Sequence, residues 1–227
     1  MAISLDKRLK TISDFVRQDI RACDVGTDHG YLAVHLLQTK KAISVKATDI
    51  NPSPLNSAKE TAKKHNVPME FILSDGLASV NVKTVDDVII AGMGGELIAR
   101  IISDAPDLKS ADKHLILQPM TNVPKLRAFL YNNGFAINKE AAIIDKQHTY
   151  TVMSVTFCGE SSQKDEVFLR LGKLTENADK DSKEYVKRQI IALEKEIDGL
   201  KKSKSGLLSD DKIKLLDEMR IKFDVSF

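Results

Sequence analysis

An apolar run, Ile20–Val25, ends in the glycine-rich turn Gly26–Gly30, and Leu32, Ala33, Leu36 and Leu37 then recur at helical spacing. This strand–turn–helix unit constrains the chain more than any other feature, because strands joined through helices return parallel to one another. The pattern repeats along the chain. Ser44–Ile50 reads as a second strand, and Pro52 with Leu55–His65 as its helix. Met69–Leu73, Asp87–Ala91 and His114–Gln118 read as further strands, with helices at Leu97–Ile102 and Val123–Asn132. Two β-rich runs, Phe135–Ile144 and Tyr150–Phe157, have no helix between them and must pair antiparallel. An amphipathic opening helix carries Leu5, Leu9, Ile12, Phe15 and Val16. The expectation is an α/β protein with a mostly parallel sheet of seven strands, the last pair antiparallel.

After the polar linker Gly159-Glu-Ser-Ser-Gln163 the texture changes, and from Asp165 onward there is neither strand signal nor proline. Val186, Ile190, Leu193, Ile197 and Leu200 fall at steps of four and three, a heptad-like stripe. Ser203–Ser209, which contains Gly206, reads as a turn, and Ile213, Leu216, Met219 and Phe223 restore an apolar face. Helices joined by a short turn pack antiparallel. The 227 residues therefore divide into a sheet domain, residues 1–160, and a helical coiled-coil-like hairpin, residues 161–227, consistent with roughly 150 residues per domain.

With 42% hydrophobic residues the chain can bury a core, and with 34 basic against 32 acidic residues it carries no bulk charge that announces a nucleic-acid partner. A local basic stripe would suffice for one. No apolar run approaches the ~18 residues of a membrane span, and the start, MAISLDKRLK, lacks an apolar leader core. A cytoplasmic protein without membrane contact is expected. Cys23 and Cys158 sit in strand-like stretches and read as buried thiols. The five histidines, at 29, 35, 65, 114 and 148, show no metal-site spacing, so no metal is expected.

Chemistry concentrates at the turn. Asp24 closes the first strand, and Gly26, Asp28 and Gly30 alternate after it. Small residues there let a ligand approach the backbone closely. A dinucleotide fingerprint needs G-x-G-x-x-G. Here Asp28 replaces the middle glycine, closer to the D/E-x-G-x-G-x-G turn of enzymes that use S-adenosylmethionine (SAM). A carboxylate in this turn repels a pyrophosphate and attracts the cationic amino-acid end of SAM, so SAM is favoured over NAD. Asp49 ends the second strand, where a carboxylate can accept both hydrogen bonds of a ribose diol. Asp75, followed by Gly76, ends the third, placed to meet an adenine amino group. Each alone is an ordinary turn residue; three acids at successive carboxyl ends of strands mark a binding crevice. Ala91-Gly92-Met93-Gly94-Gly95 permits tight backbone approach after the fourth strand. Gln118, in Gln118-Pro119-Met120, offers an amide either to a base edge or to a turn. His29 is either a site residue or the maker of a local hydrogen bond.

In this order, DVGTDHGYLA, TDIN, SDGL, AGMGG and LQP, followed by the helical hairpin, resemble the bacterial tRNA adenine-22 N1-methyltransferase family over essentially the whole chain. The resemblance implies a Rossmann-like class I SAM methyltransferase sheet followed by a coiled-coil domain, and methyl transfer to N1 of an adenine in the tRNA D-arm, yielding 1-methyladenosine. It implies that Asp24, Gly26, Asp28, His29, Gly30, Asp49, Ile50, Asp75, Gly76, Met93 and Gly94 form the SAM site. It also puts Leu5–Leu9 in the active-site region, with Asp6 and Arg8 near ligand or RNA. His29, Met93, Gln118 and Tyr150 are the candidates nearest the reaction.

Adenine N1 carries a lone pair, so the reaction needs positioning and water exclusion rather than an acid–base cluster. Because N1 lies on the Watson–Crick edge, the base must first be extruded. With 5% aromatics and no tryptophan, a stacking platform has to come from Tyr31, Tyr150 or a phenylalanine. On the hairpin, Lys187, Arg188, Lys201, Lys202 and Lys204 are either a solvated face or tRNA phosphate contacts. A monomer is expected, with self-association through the Val186–Leu200 stripe as the other use of those residues. Competing readings are an NAD(P)-dependent oxidoreductase, a catalytically silent SAM-fold protein, and a methyltransferase acting on another RNA or a small molecule.

Overall fold

The structure, a computed structural model, describes residues 3–176, 179–202 and 206–223. Helix α1 (Lys7–Phe15) leads into β1 (Ile20–Val25), α2 (Tyr31–Gln38), β2 (Ala42–Asp49), α3 (Pro52–Lys64) and β3 (Glu70–Leu73). Then come β4 (Asp87–Gly94), α4 (Gly95–Ser103), β5 (His114–Thr121), α5 (Val123–Asn132), β6 (Phe135–Asp145) and β7 (His148–Phe157). The sheet has seven strands in the order β3-β2-β1-β4-β5-β7-β6. Pairing is parallel from β3 through β5, and β7 runs antiparallel to both β5 and β6. The order reverses between β1 and β4, and such a reversal opens a crevice beyond the carboxyl ends of those strands.

The central strands are apolar on both faces because helices cover both. Val88 and Ile90 of β4 join the core that includes Ile98, Ile102, Leu126 and Leu130, while Ile89 between them joins Ile12, Leu32 and Leu36 on the other side. At the amino ends of β4 and β5 a polar chain ties the strands together. Arg17 Nε donates to Asp87 Oδ1 at 2.7 Å, His114 Nδ1 lies 3.2 Å from Asp87 Oδ2, and His114 Nε2 lies 2.7 Å from Ser154 Oγ.

Two strands outrun their apolar runs. β4 continues through the glycines to Gly94 and β5 through Pro119 to Thr121, with register shifts around Met93. The glycine run is therefore a strand extension pressed against β5. A Cβ on Gly95 would fall 2.7 Å from the Asn122 carbonyl oxygen. Periodicity has little to register where glycines flank a lone Met93. Cys158 is a second departure: it is exposed, while Cys23 is buried. It follows the last residue of β7, where the chain has left the sheet, and its Sγ lies 3.2 Å from the Gly134 carbonyl.

Beyond the sheet lie α6 (Glu166–Leu171), a 3-10 stretch over Gly172–Glu176, α7 (Lys180–Lys202) and α8 (Gly206–Phe223). Helix α8 begins inside the segment expected as a turn. Residues 203–205, Lys204 among them, and the side chain of Lys202 lie outside the described residues. The stripe Val186, Ile190, Leu193 and Ile197 is buried with Leu216 and Met219 of α8, and also with Ala142 of β6. Across the helix pair Lys212 meets Glu196 at 2.7 Å and Arg220 meets Glu194 at 2.5 Å.

A buried ion pair joins these helices to the sheet. Arg127 of α5 and Glu140 of β6 meet at 2.5 Å with both side chains fully buried. The Arg127 Nη1 donates to the carbonyls of Leu169 and Arg170 at 2.8 Å each. Glu140 accepts from Thr151 Oγ1 at 2.8 Å and from the Lys173 N–H at 3.0 Å. No described helix is long and apolar enough to cross a membrane.

Candidate active site

A cleft of ≈ 360 Å³ opens beyond β1 and β4, and Arg8, Asp24, Thr27, His29, Tyr31 and Tyr150 are among its lining residues. The β1–α2 turn builds its floor. The N–H groups of Gly26 and Thr27 both donate to the Thr48 carbonyl at 2.8 Å, and the Ser74 N–H donates to the Asp49 carbonyl at 2.9 Å. The three loops after β1, β2 and β3 are thereby stitched side by side. Gly30 caps α2 with φ +69°, and a Cβ there would fall 2.9 Å from that of Ala58. Over Gly26 lies the end of the Met93 side chain, its Cε 2.2 Å from where a Cβ would stand.

Asp24 is only 6% exposed. Burial pushes its carboxyl up to about 6, with Thr27 drawing it part of the way back. Among the described residues, the Thr27 hydroxyl is the buried side-chain polar atom that lacks a well-formed hydrogen bond. Asp28 and His29 stand at the exposed rim, 3.6 Å apart. A buried carboxylate with no cation beside it, a poorly satisfied hydroxyl and close-approach glycines suit a ligand that brings positive charge and polar atoms. SAM is such a ligand, and these residues fit it.

Arg8 enters the cleft from α1. Its Nη1 donates to Gln118 Oε1 at 2.8 Å, and the Gly92 N–H donates to the same oxygen at 3.1 Å. Gln118 Nε2 donates to the Pro119 carbonyl at 3.0 Å. Gln118 is 0% exposed, so its amide is committed to the scaffold and is not offered to a base edge. Its effect on the site is to hold Arg8 over Gly92. Two aromatic pairs stand at the cleft: His29 stacks on Tyr31 (centroids 5.4 Å apart) and His148 on Tyr150 (6.0 Å). Tyr31 is 46% exposed.

The turn residues Asp24, Gly26, Asp28, His29 and Gly30 thus come together with Arg8 and Tyr150. Asp49 at the end of β2, and Ile50, Asp75 and Gly76 on the loops after β2 and β3, flank the cleft rather than lining it. Asp49 Oδ1 accepts the Asn51 N–H at 2.7 Å, and Ile50 is exposed. Asp75 is forked by Arg100 at 2.8 and 3.1 Å, which holds its carboxyl below the usual carboxylate range. An adenine amino group at Asp75 would share it with that guanidinium. Gly94 lies at the end of β4, where a Cβ would meet Thr121 Oγ1 at 3.2 Å.

Asp6 is the N-cap of α1, its Oδ1 accepting the Leu9 N–H at 2.7 Å, and does not line the cleft. Lys187 and Lys201 are exposed on α7. Arg188 is bound instead to the β6–β7 turn: its Nη1 donates to the Gln147 carbonyl at 3.2 Å and to Thr149 Oγ1 at 2.9 Å. Leu9, inside the Leu5–Leu9 stretch expected near the active site, lines the cleft; Thr27 and Met120 line it without having been proposed as site residues. Thr27 stands inside the motif as its least conspicuous member, and Met120 lies within the extension of β5 that periodicity missed.

Residues 5–153 match a family model described as a methyltransferase domain. The chain is 29% identical over 174 residues to the tRNA (adenine(22)-N(1))-methyltransferase of Bacillus subtilis, covering 76% of this chain and 73% of that protein. It superimposes with TM-score 0.77 and 26% identity on M. capricolum TrmK in complex with the cofactor product S-adenosyl-homocysteine, covering 97% of this chain and 98% of that one. The B. subtilis M1A22 tRNA methyltransferase TrmK shares the fold at TM-score 0.83 and 24% identity, covering 98% of this chain and 99% of the other.

Proposed function

The chain belongs to the methyltransferase-domain family matched over residues 5–153, and we propose that it transfers the methyl group of SAM to N1 of adenine 22 in tRNA. The observation that carries this reading is the meeting, at one cleft, of the buried Asp24, the poorly satisfied Thr27 hydroxyl, the exposed His29–Tyr31 pair and the half-buried Tyr150, in a chain similar along most of its length to the B. subtilis enzyme.

SAM supplies an electrophilic methyl group. The residues proposed to hold it are Asp24, Gly26, Thr27, Asp28, His29 and Gly30 for the amino-acid end. Asp49 with Ile50 would take the ribose, and Asp75 with Gly76 the adenine. Met93 and Gly94 stand beside the reacting centre. The nucleophile is a ring nitrogen with its lone pair in place, so these residues act by alignment and by excluding water. An extruded adenine needs a surface to stack on, and Tyr31 and Tyr150 offer rings on the cleft wall. Asp24 and Asp28 would hold the cationic amino group of SAM, whose charge is the same before and after methyl transfer.

Arg8, held by Gln118 and without an ion pair among the described residues, is the cleft cation proposed to meet an anionic group of cofactor or RNA. The same reading takes residues 1–160 as the methyl-transfer unit and 161–227 as a helical module, with Lys187 and Lys201 as its tRNA contacts. It takes the protein as a cytoplasmic monomer. An oxidoreductase would bring a pyrophosphate to a turn that already holds Asp24 and Asp28, which Coulomb repulsion opposes.

The test is methyl transfer from labelled SAM to unmodified tRNA transcripts that differ only in A or G at position 22. Label on the A22 transcript alone, recovered as 1-methyladenosine, is the expected result. Label on both transcripts would discard the position, and no transfer to either would overturn the tRNA reading.

A further inference from the structure

Helix α7 grips the edge of the cleft. The two-residue turn between β6 and β7 places Lys146 at φ +53°, a left-handed conformation that a lysine adopts only against a steric cost. Arg188 clasps that turn. Its Nη1 reaches the Gln147 carbonyl at 3.2 Å and Thr149 Oγ1 at 2.9 Å, and its Nη2 reaches the Lys146 carbonyl at 3.4 Å. Its Nε donates to Glu184 Oε1, one turn back on α7, at 2.8 Å. One turn nearer the start of α7, Asp181 Oδ2 accepts the Ile144 N–H at 3.1 Å and meets Lys7 of α1 at 2.5 Å. Ile144 pairs with Thr149, so both anchors hold the same end of the hairpin. Tyr150 follows directly and lines the cleft.

We propose that Arg188 is a positioning residue for methyl transfer: by clasping the β6–β7 turn it holds Tyr150 at the cleft wall. The proposal rests on the methyltransferase reading above. A guanidinium neutralised by Glu184 and engaged with three acceptors on the turn is a poor ligand for an RNA phosphate, because binding one would release the turn. The planar fork of arginine suits several acceptors at once, whereas lysine offers a point charge that cannot span them. Arg188→Lys therefore separates the two roles, since it keeps the charge and loses the clasp.

The experiment compares wild type with Arg188→Lys, Arg188→Ala and Thr149→Val. For each, kcat on A22 tRNA, tRNA affinity across a salt series, and hydrogen exchange over residues 145–152 are measured. A positioning role predicts that both Arg188 variants lose about tenfold in kcat and exchange faster over the turn. Their tRNA affinity and salt slope stay those of the wild type. Thr149→Val, which removes one acceptor and no charge, moves kcat and exchange in the same direction by less, and it decides the matter should the Arg188 variants fold poorly.

A full rate in Arg188→Lys would overturn the proposal, as would a salt slope shallower by about one charge in Arg188→Ala alone. Unchanged exchange over the turn would overturn it equally. A wild type that methylates no tRNA defeats the proposed function instead, and the exchange measurement then still decides the clasp.

Discussion

Asp24 sits at the floor of the cleft with no ion-pair partner among the described residues, and burial raises it from 3.8 to about 6. Because the folded value lies above the unfolded one, its contribution to stability is fully present below pH 3.8 and is lost as pH rises through about 6. The loss is about 3 kcal/mol. Asp24→Asn should remove that fall, so that the difference in unfolding free energy between variant and wild type grows across this window in denaturant titrations. A cationic ligand favours the ionised carboxylate, so SAM affinity of the wild type should rise with pH through the same range. The variant should bind more weakly and without that pH dependence in calorimetry. Thr27 makes the neighbouring test. Thr27→Val replaces a buried hydroxyl that lacks a well-formed hydrogen bond with a methyl group of similar shape, which should leave the free protein about 1 kcal/mol more stable below about pH 6, where Asp24 is protonated and needs no donor. If the hydroxyl serves SAM, affinity should fall about five- to tenfold. Opposite signs in melting and binding are expected; matching signs would mean that Thr27 is only structural. The motif pointed to the region of both residues, but their protonation and satisfaction depend on neighbours from β2 and β4.

At the scale of elements, apolar periodicity located the seven strands and most helices because each buries a face of its own. It missed the ends of β4 and β5: glycines flank a lone Met93 from Gly92 to Gly95, Pro119 interrupts β5, and Gly95 presses on the Asn122 carbonyl at a distance that excludes a Cβ. The α2 entry is similarly demanding: Gly30 has φ +69° and no room toward Ala58. Gly30→Ala should cost about 1–3 kcal/mol, read as a lower midpoint in urea, and should weaken SAM binding because the cleft floor shifts with it. A variant with wild-type stability would contradict the close contact. Gln118 also belongs to this scale. The sequence left it between a base edge and a turn contact, and enclosure of its amide made it a strut between α1, β4 and β5.

For the whole molecule, the decisive contact is the Arg127–Glu140 pair, which joins α5, β6 and the chain around Leu169 to Lys173. Removing one partner of a buried pair strands the other, so Arg127→Leu should cost about 3–5 kcal/mol, and the double variant with Glu140→Leu should recover much of it. Sheet and helices should then unfold in one transition in the wild type, followed by near- and far-ultraviolet circular dichroism together. Separate transitions would mean that the helical part is only loosely attached. A chain cut after Gln163 would leave Arg127 without two carbonyl acceptors and Glu140 without the Lys173 N–H. Loss of SAM binding in such a truncation would therefore reflect the fold rather than the site.

By itself, the sequence determined the order of strands and helices, the antiparallel last pair, the apolar stripe of α7 and the glycine-rich turn proposed to receive the cofactor. All of these are local, being set by spacing, by glycine and by apolar faces within a few residues of one another. Only the tertiary structure decided that Gln118 braces Arg8, that Arg100 takes hold of Asp75, that Arg188 grips a turn, and that the helices share a core with β6. Each of those depends on groups 25 or more residues apart. A side chain's partner at that distance follows from packing, and no spacing along the chain encodes it.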